Sequence, residues 1–81
     1  MTRIHVLVHL LPDVLDVQGQ AIQQAVSAAG HGRVASVRQG KSFYLDFDGD
    51  PVAHKDEIEA LCHETLSNPT IETYSWEVVG Q

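Results

Sequence analysis

Apolar and polar residues alternate from Arg3 to Leu10, with Ile4, Val6, Val8 and Leu10 on one side of an extended chain. The other side carries Arg3, His5, Leu7 and His9, a mixed set. A period of two predicts a strand with one buried face. The period then changes. Between Val17 and Ala29, the residues Ile22, Ala25, Val26 and Ala29 recur at spacings of three and four, which predicts a helix with one buried stripe. Asp16 stands just before it, placed to accept the free N–H groups of the first turn, and its charge suits the positive end of the helix. Gly30 and Gly32 follow as a left-handed stop. Gly19 is the odd member. In the first turn it costs up to about 1 kcal/mol relative to alanine, so another backbone or a partner packed close is expected beside it.

Arg33 to Gln39 reads as a second strand and Gly40-Lys41 as a hairpin tip. Ser42 to Asp48 reads as a third strand, with Phe43, Leu45 and Phe47 on one face and Tyr44 and Asp46 on the other. Asp48-Gly49-Asp50-Pro51 is a loop. A second helix covers Lys55 to Ser67, with Ile58, Leu61, Cys62, Thr65 and Leu66 along its stripe. Asn68-Pro69 ends it, because the residue before a proline avoids helical geometry. Ile71 to Val79 is the last strand. The expected fold is one α+β domain over residues 1–81, a two-layer sandwich of βαββαβ order. Its four-stranded, mainly antiparallel sheet has both helices on one face. The other face then lacks a cover, and on it lie Leu7, Tyr44 and one parity of the last strand, with His5 and His9 beside them. Several apolar residues on one open sheet face mark a contact surface. Tyr74 and Trp76 point the same way, and aromatic pairs of this type anchor interfaces when they are not core. Leu7, Tyr44 and Trp76 are therefore the self-association candidates, in a homodimer or tetramer.

Composition narrows the function classes. A single core in 81 residues yields only a few kcal/mol of net stability, and oligomerisation is a common remedy. Cys62 is the only cysteine, so no disulfide network substitutes for it. No basic start precedes an apolar run, and no stretch approaches the roughly 20 apolar residues that span a bilayer. A soluble, cytoplasmic protein without a membrane partner is expected. The net charge of −6, with five Lys and Arg in all, argues against nucleic acid, since phosphate binding draws on clustered cations. It suits a partner with a basic patch.

Candidate chemistry is sparse. His5 and His9 share a strand face but stand about 13 Å apart, too far for one ion. Cys62-His63 diverge on a helix, and no second pair has zinc-like spacing. Asp46-Phe47-Asp48-Gly49-Asp50 imitates a calcium loop, yet Pro51 occupies the position where that loop needs glycine. Cys62 lies on an apolar stripe, where a buried, inert thiol is expected. Gly30-His31-Gly32 closes a helix and lacks the lysine of a phosphate loop. No catalytic, cofactor-binding or metal-binding residue is assigned. Arg38 and Lys41 read either as solvated charges at a turn or as contacts to an acidic patch or phosphate on a partner.

Three phrases carry a resemblance: Leu11-Pro12-Asp13-Val14-Leu15-Asp16-Val17-Gln18-Gly19-Gln20-Ala21-Ile22, Val37-Arg38-Gln39-Gly40-Lys41, and Asn68-Pro69-Thr70-Ile71-Glu72-Thr73-Tyr74. In this order and spacing they resemble the PurS family, the small subunit of formylglycinamidine ribonucleotide synthase in purine biosynthesis. The likeness runs from about Ile4 to Val78 and departs at Ser42-Phe43-Tyr44 and at Trp76, which are more aromatic or bulkier than the family pattern. The resemblance implies a non-catalytic subunit that bridges a glutaminase and a synthetase subunit and aids ammonia transfer between them. ATP, magnesium and glutamine are then used by those partners and not bound by this chain. It also implies partner contacts at Gly19, Arg38, Gly40, Lys41, Asn68, Pro69 and Tyr74. The alternative class is a small amino-acid-sensing module of the same strand–helix order, binding its ligand at a dimer interface. An RNA-recognition fold shares the order, but strands 1 and 3 lack the basic-aromatic pattern that stacks bases.

Overall fold

The computed structural model describes residues 1–80. Strand β1 (Thr2–Leu10) is followed by helix α1 (Val17–Ala28), strand β2 (Gly40–Phe47), helix α2 (Lys55–Leu61) continued by a π-helical turn (Cys62–Leu66), and strand β3 (Glu72–Gly80). The sheet is antiparallel with order β2-β1-β3. His5 of β1 sits opposite Tyr44 of β2 and Glu77 of β3. A bulge between Arg3 and Ile4 shifts the β3 register.

The alternation in β1 does what period-two patterning dictates. Ile4, Val6 and Val8 are fully buried and meet Ile58 and Cys62 of the second helical segment. Phe43, Leu45, Phe47, Leu66, Tyr74 and Trp76 close around them, half-buried. The second helix departs from a regular stripe at Cys62, where the wider π turn begins, and Thr65 is exposed instead of packed. Ser67 ends the turn by donating from its hydroxyl to the Cys62 carbonyl at 2.8 Å.

Three expectations fail here. The sheet has three strands, because Val34 to Gln39 join no ladder. Gly40-Lys41 therefore begins β2 and is not a hairpin tip. Only the second helical segment covers the sheet: Ile58 and Cys62 enter the core, and α1 sends no side chain into it. Its one buried residue is Gly19; Ile22 is 42% exposed, and Ala25 and Ala29 are exposed too. Helix α1 and residues 29–37 form an arm that projects from the sheet. The radius of gyration is 15.9 Å, against about 12 Å for a compact chain of this length. The accessible surface is 5729 Å², about 900 Å² more than a compact monomer of this mass presents.

The arm is nevertheless well-formed. At its far end the Gly30 N–H donates to the Ser27 carbonyl and the His31 N–H to the Val26 carbonyl. Gly30 has φ +97°, the left-handed residue this ending requires.

Candidate functional site

The segments 11–22, 37–41 and 68–74, distant in sequence, converge at one end of the sheet. The Leu11 N–H donates to the Ile71 carbonyl at 2.9 Å, joining the first to the third. Arg38 reaches from the second to the first: Nη1 donates to the Val14 carbonyl at 3.1 Å and Nη2 to the Leu11 carbonyl at 3.0 Å. The Gln39 N–H donates to Asp16 Oδ2 at 2.6 Å, and Asp16 Oδ1 accepts the Gly19 N–H at 2.8 Å. Lys41 Nζ lies 3.5 Å from Glu72 Oε2, while Glu72 Oε1 accepts the Asn68 N–H at 2.7 Å. An open groove of about 400 Å³ runs across this junction, walled by Leu10, Leu15, Val17, Gln18 and Lys41.

Asp16 is 5% exposed and takes a backbone donor on each oxygen. The Gln39 bond, then the Gly19 bond, hold its carboxyl below the usual carboxylate range; burial opposes them and the Arg38 charge assists. Gly19 is explained by the same packing. A Cβ there would run into the Val37 carbonyl and lie 2.6 Å from Asp16 Oδ2. The close neighbour expected beside it is thus a backbone of its own chain. At Gly40 a Cβ would lie 2.6 Å from the Val8 carbonyl, so β2 enters the sheet on a residue without a side chain. Asn68 organises its turn locally: its side-chain oxygen accepts the Thr70 N–H at 3.2 Å, and its carbonyl accepts those of Ile71 and Glu72.

Tyr74 and Trp76 lie on the core side of β3, and both converge on Glu59 of α2. The Tyr74 hydroxyl donates to Oε2 at 2.5 Å and the Trp76 Nε1–H to Oε1 at 3.1 Å. These bonds, Tyr74 first, hold the Glu59 carboxyl low, and the same contact with burial pushes the Tyr74 phenol up to about 12. Sequence reasoning missed Glu59. The signal was present, since two aromatics with polar tips on one strand face need an acceptor on the helix that covers them. Glu59 follows the core residue Ile58.

Trp76 therefore does not share a surface with Leu7 and Tyr44, which stand on the opposite, uncovered face. There the His5 and Tyr44 rings stack at 4.7 Å, His5 Nε2 lies 2.6 Å from Ser42 Oγ, and Arg3 pairs with Asp46 at 3.2 Å. Leu7 is 46% and Tyr44 66% exposed. Burial, followed by the Glu59 charge, raises the Cys62 thiol, so it is a poor nucleophile. Among the described residues, no three His, Cys, Asp or Glu stand together as metal ligands. Among the described residues no helix is long and apolar enough to cross a membrane.

Residues 3–80 match the family model PurS: phosphoribosylformylglycinamidine (FGAM) synthase. The Mycobacterium leprae phosphoribosylformylglycinamidine synthase subunit PurS is 37% identical over 93% of this chain and 92% of its own. The crystal structure of Methanocaldococcus jannaschii PurS, one of the subunits of formylglycinamide ribonucleotide amidotransferase in the purine biosynthetic pathway, superposes with a TM-score of 0.88. It is 28% identical and covers 100% of this chain and 99% of its own. A chain of the Thermotoga maritima PurLQS structure shares the fold at a TM-score of 0.84 and 23% identity, covering 96% of each chain.

Proposed function

The chain belongs to the PurS family of FGAM synthase subunits in purine biosynthesis, and from that premise we propose that it is the non-catalytic bridge of the complex. It joins a glutaminase of the PurQ type to a synthetase of the PurL type and protects ammonia in passage between them. Ammonia escapes into water or is protonated there, so two active sites that share it must be held in register. ATP, magnesium and glutamine belong to the partner subunits, and the assembly works in the cytoplasm.

The observation that carries this reading is the arm. A chain with its own active site has little use for a helix whose apolar stripe is left largely exposed, whereas an assembly subunit needs surface to offer. The excess of about 900 Å² is close to the roughly 800 Å² that each partner buries in a standard interface. Ala35, Ser36 and Val37 make no backbone–backbone hydrogen bond among the described residues, and such groups call for water or another chain. Self-association as a dimer or tetramer through the arm, with the open sheet face of Leu7 and Tyr44 as a second contact, accounts for both. The convergent junction of Gly19, Arg38, Gly40, Lys41, Asn68 and Pro69 then presents a shaped end of the sheet to the larger subunits. Its polar groups are already paired with one another, which favours a docking surface over an amino-acid sensor.

The test is reconstitution. The purified chain is mixed with the glutaminase and synthetase subunits, and amidine formation is followed with glutamine or with ammonium as nitrogen source. The bridge reading expects glutamine-dependent turnover to require this chain. Equal turnover in its absence overturns it.

A further inference from the structure

We propose that Asp16, supported by Arg38, is the positioning residue of the arm and sets the direction in which α1 leaves the sheet. The arm is attached at two places, residues 11–16 on the way out and 38–39 on the way back. Helix α1 sends no side chain into the sheet's core that would fix its angle. Four hydrogen bonds cross or brace these two connections instead. Asp16 accepts from Gly19 on one oxygen and from Gln39 on the other, and Arg38 donates to the carbonyls of Leu11 and Val14. The outgoing and returning chains are thereby riveted to each other at the base. Among the described residues Asp16 is the only buried charged one, which fits a group selected for two simultaneous acceptor positions. Serine caps a helix with one oxygen and leaves the Gln39 N–H without its partner. Asparagine offers one acceptor and turns a donor toward the remaining N–H. Capping and positioning are thus separable by substitution.

The consequence inside the complex rests on the bridge reading; the geometry itself does not. Spin labels at Ala29→Cys and Val52→Cys, both exposed positions, report the angle between arm and sheet, and buried Cys62 stays unlabelled. Labelled chain diluted into excess unlabelled chain gives distances within one copy. In the otherwise native chain a narrow distribution is expected. Asp16→Ser is expected to broaden it at least about twofold, with an unchanged thermal midpoint for the sheet and about tenfold faster exchange of the Gln39 amide, one charged hydrogen bond being lost. Asp16→Asn supplies a second variant should serine impair folding, and it is expected to broaden the distribution likewise. An unchanged distribution in a folded variant overturns the proposal. In the reconstituted complex, Asp16→Ser is expected to raise about tenfold the chain concentration giving half-maximal glutamine-dependent turnover, with ammonium-dependent turnover unaltered. A broadened distribution without that rise overturns the role in assembly. If the unsubstituted chain contributes nothing to turnover, the bridge reading falls while the distances still decide the rivet.

Discussion

The sheet with α2 and the arm with α1 are built from equally regular patterns, and they end in opposite environments. In β1 the period-two residues Ile4, Val6 and Val8 are completely covered by Ile58 and Cys62 of the same chain. In α1 the three-and-four stripe led by Ile22 stays exposed. Patterning specifies which face of an element is apolar; it does not specify which molecule covers that face. One half of this chain carries its own core, and the other half leaves its apolar stripe for the association proposed above.

The sharpest way to break that contrast is to cut the same kind of group from each half. Ile58→Ala removes a fully buried side chain and should cost about 2–5 kcal/mol. That is most of the stability of so small a domain, so denaturant titration should find it largely unfolded at low concentration. Ile22→Asp should leave the sheet's unfolding midpoint nearly unchanged in dilute samples. It should instead raise the dissociation constant of self-association at least about tenfold, the scale of one anchoring side chain at an interface, as read by sedimentation. Equal damage from both substitutions would mean that α1 belongs to the core after all.

Gly19→Ala tests the junction where the halves meet. Helix propensity alone favours alanine by about 1 kcal/mol. The Val37 carbonyl and Asp16 Oδ2 occupy the methyl's space, so a net loss of about 1–3 kcal/mol is expected, as for overpacking. Faster amide exchange from Asp16 to Gln39 would locate that loss, and a stabilised variant would refute the packing.

The smallest expected effect lies in Tyr74→Phe, which removes one hydrogen bond to a partly buried carboxylate, worth about 1 kcal/mol. Its pH signature is distinctive. The phenol is raised from 10.0 to about 12 in the folded chain, so its contribution is complete below pH 10 and disappears as pH rises toward 12. Glu59 is lowered from 4.5, so its contribution is complete above about that pH and disappears as the solution is acidified below it. Thermal midpoints should lose the alkaline slope in Tyr74→Phe and keep part of the acid slope, since Trp76 still donates to Glu59.

Much of this architecture was legible in the residues because local rules decided it. Asp16 caps α1 as its position before an apolar stripe requires, the second helical segment stops just before Asn68-Pro69, at Leu66, and β1 buries the predicted face. The fourth strand was not legible for a physical reason. Residues 34–39 have strand-like composition, but a strand exists only with a neighbour, and β1 pairs this chain only from Gly40 onward. The rivet was half legible: a cap can be read from spacing, whereas the second acceptor bond to Gln39 spans 23 positions and leaves no local trace. Glu59 was hidden for a similar reason, its donors lying 15 and 17 residues downstream.

The return limb of the arm has one more consequence, for turnover of the polypeptide. Proteases take their substrates as extended, solvent-accessible backbone, and residues 31–36 are exposed with few backbone bonds to hold them. An orphan copy is therefore expected to be nicked there first, while a copy whose limb is engaged is shielded. Such a device would trim any surplus of this chain to match the supply of its companions.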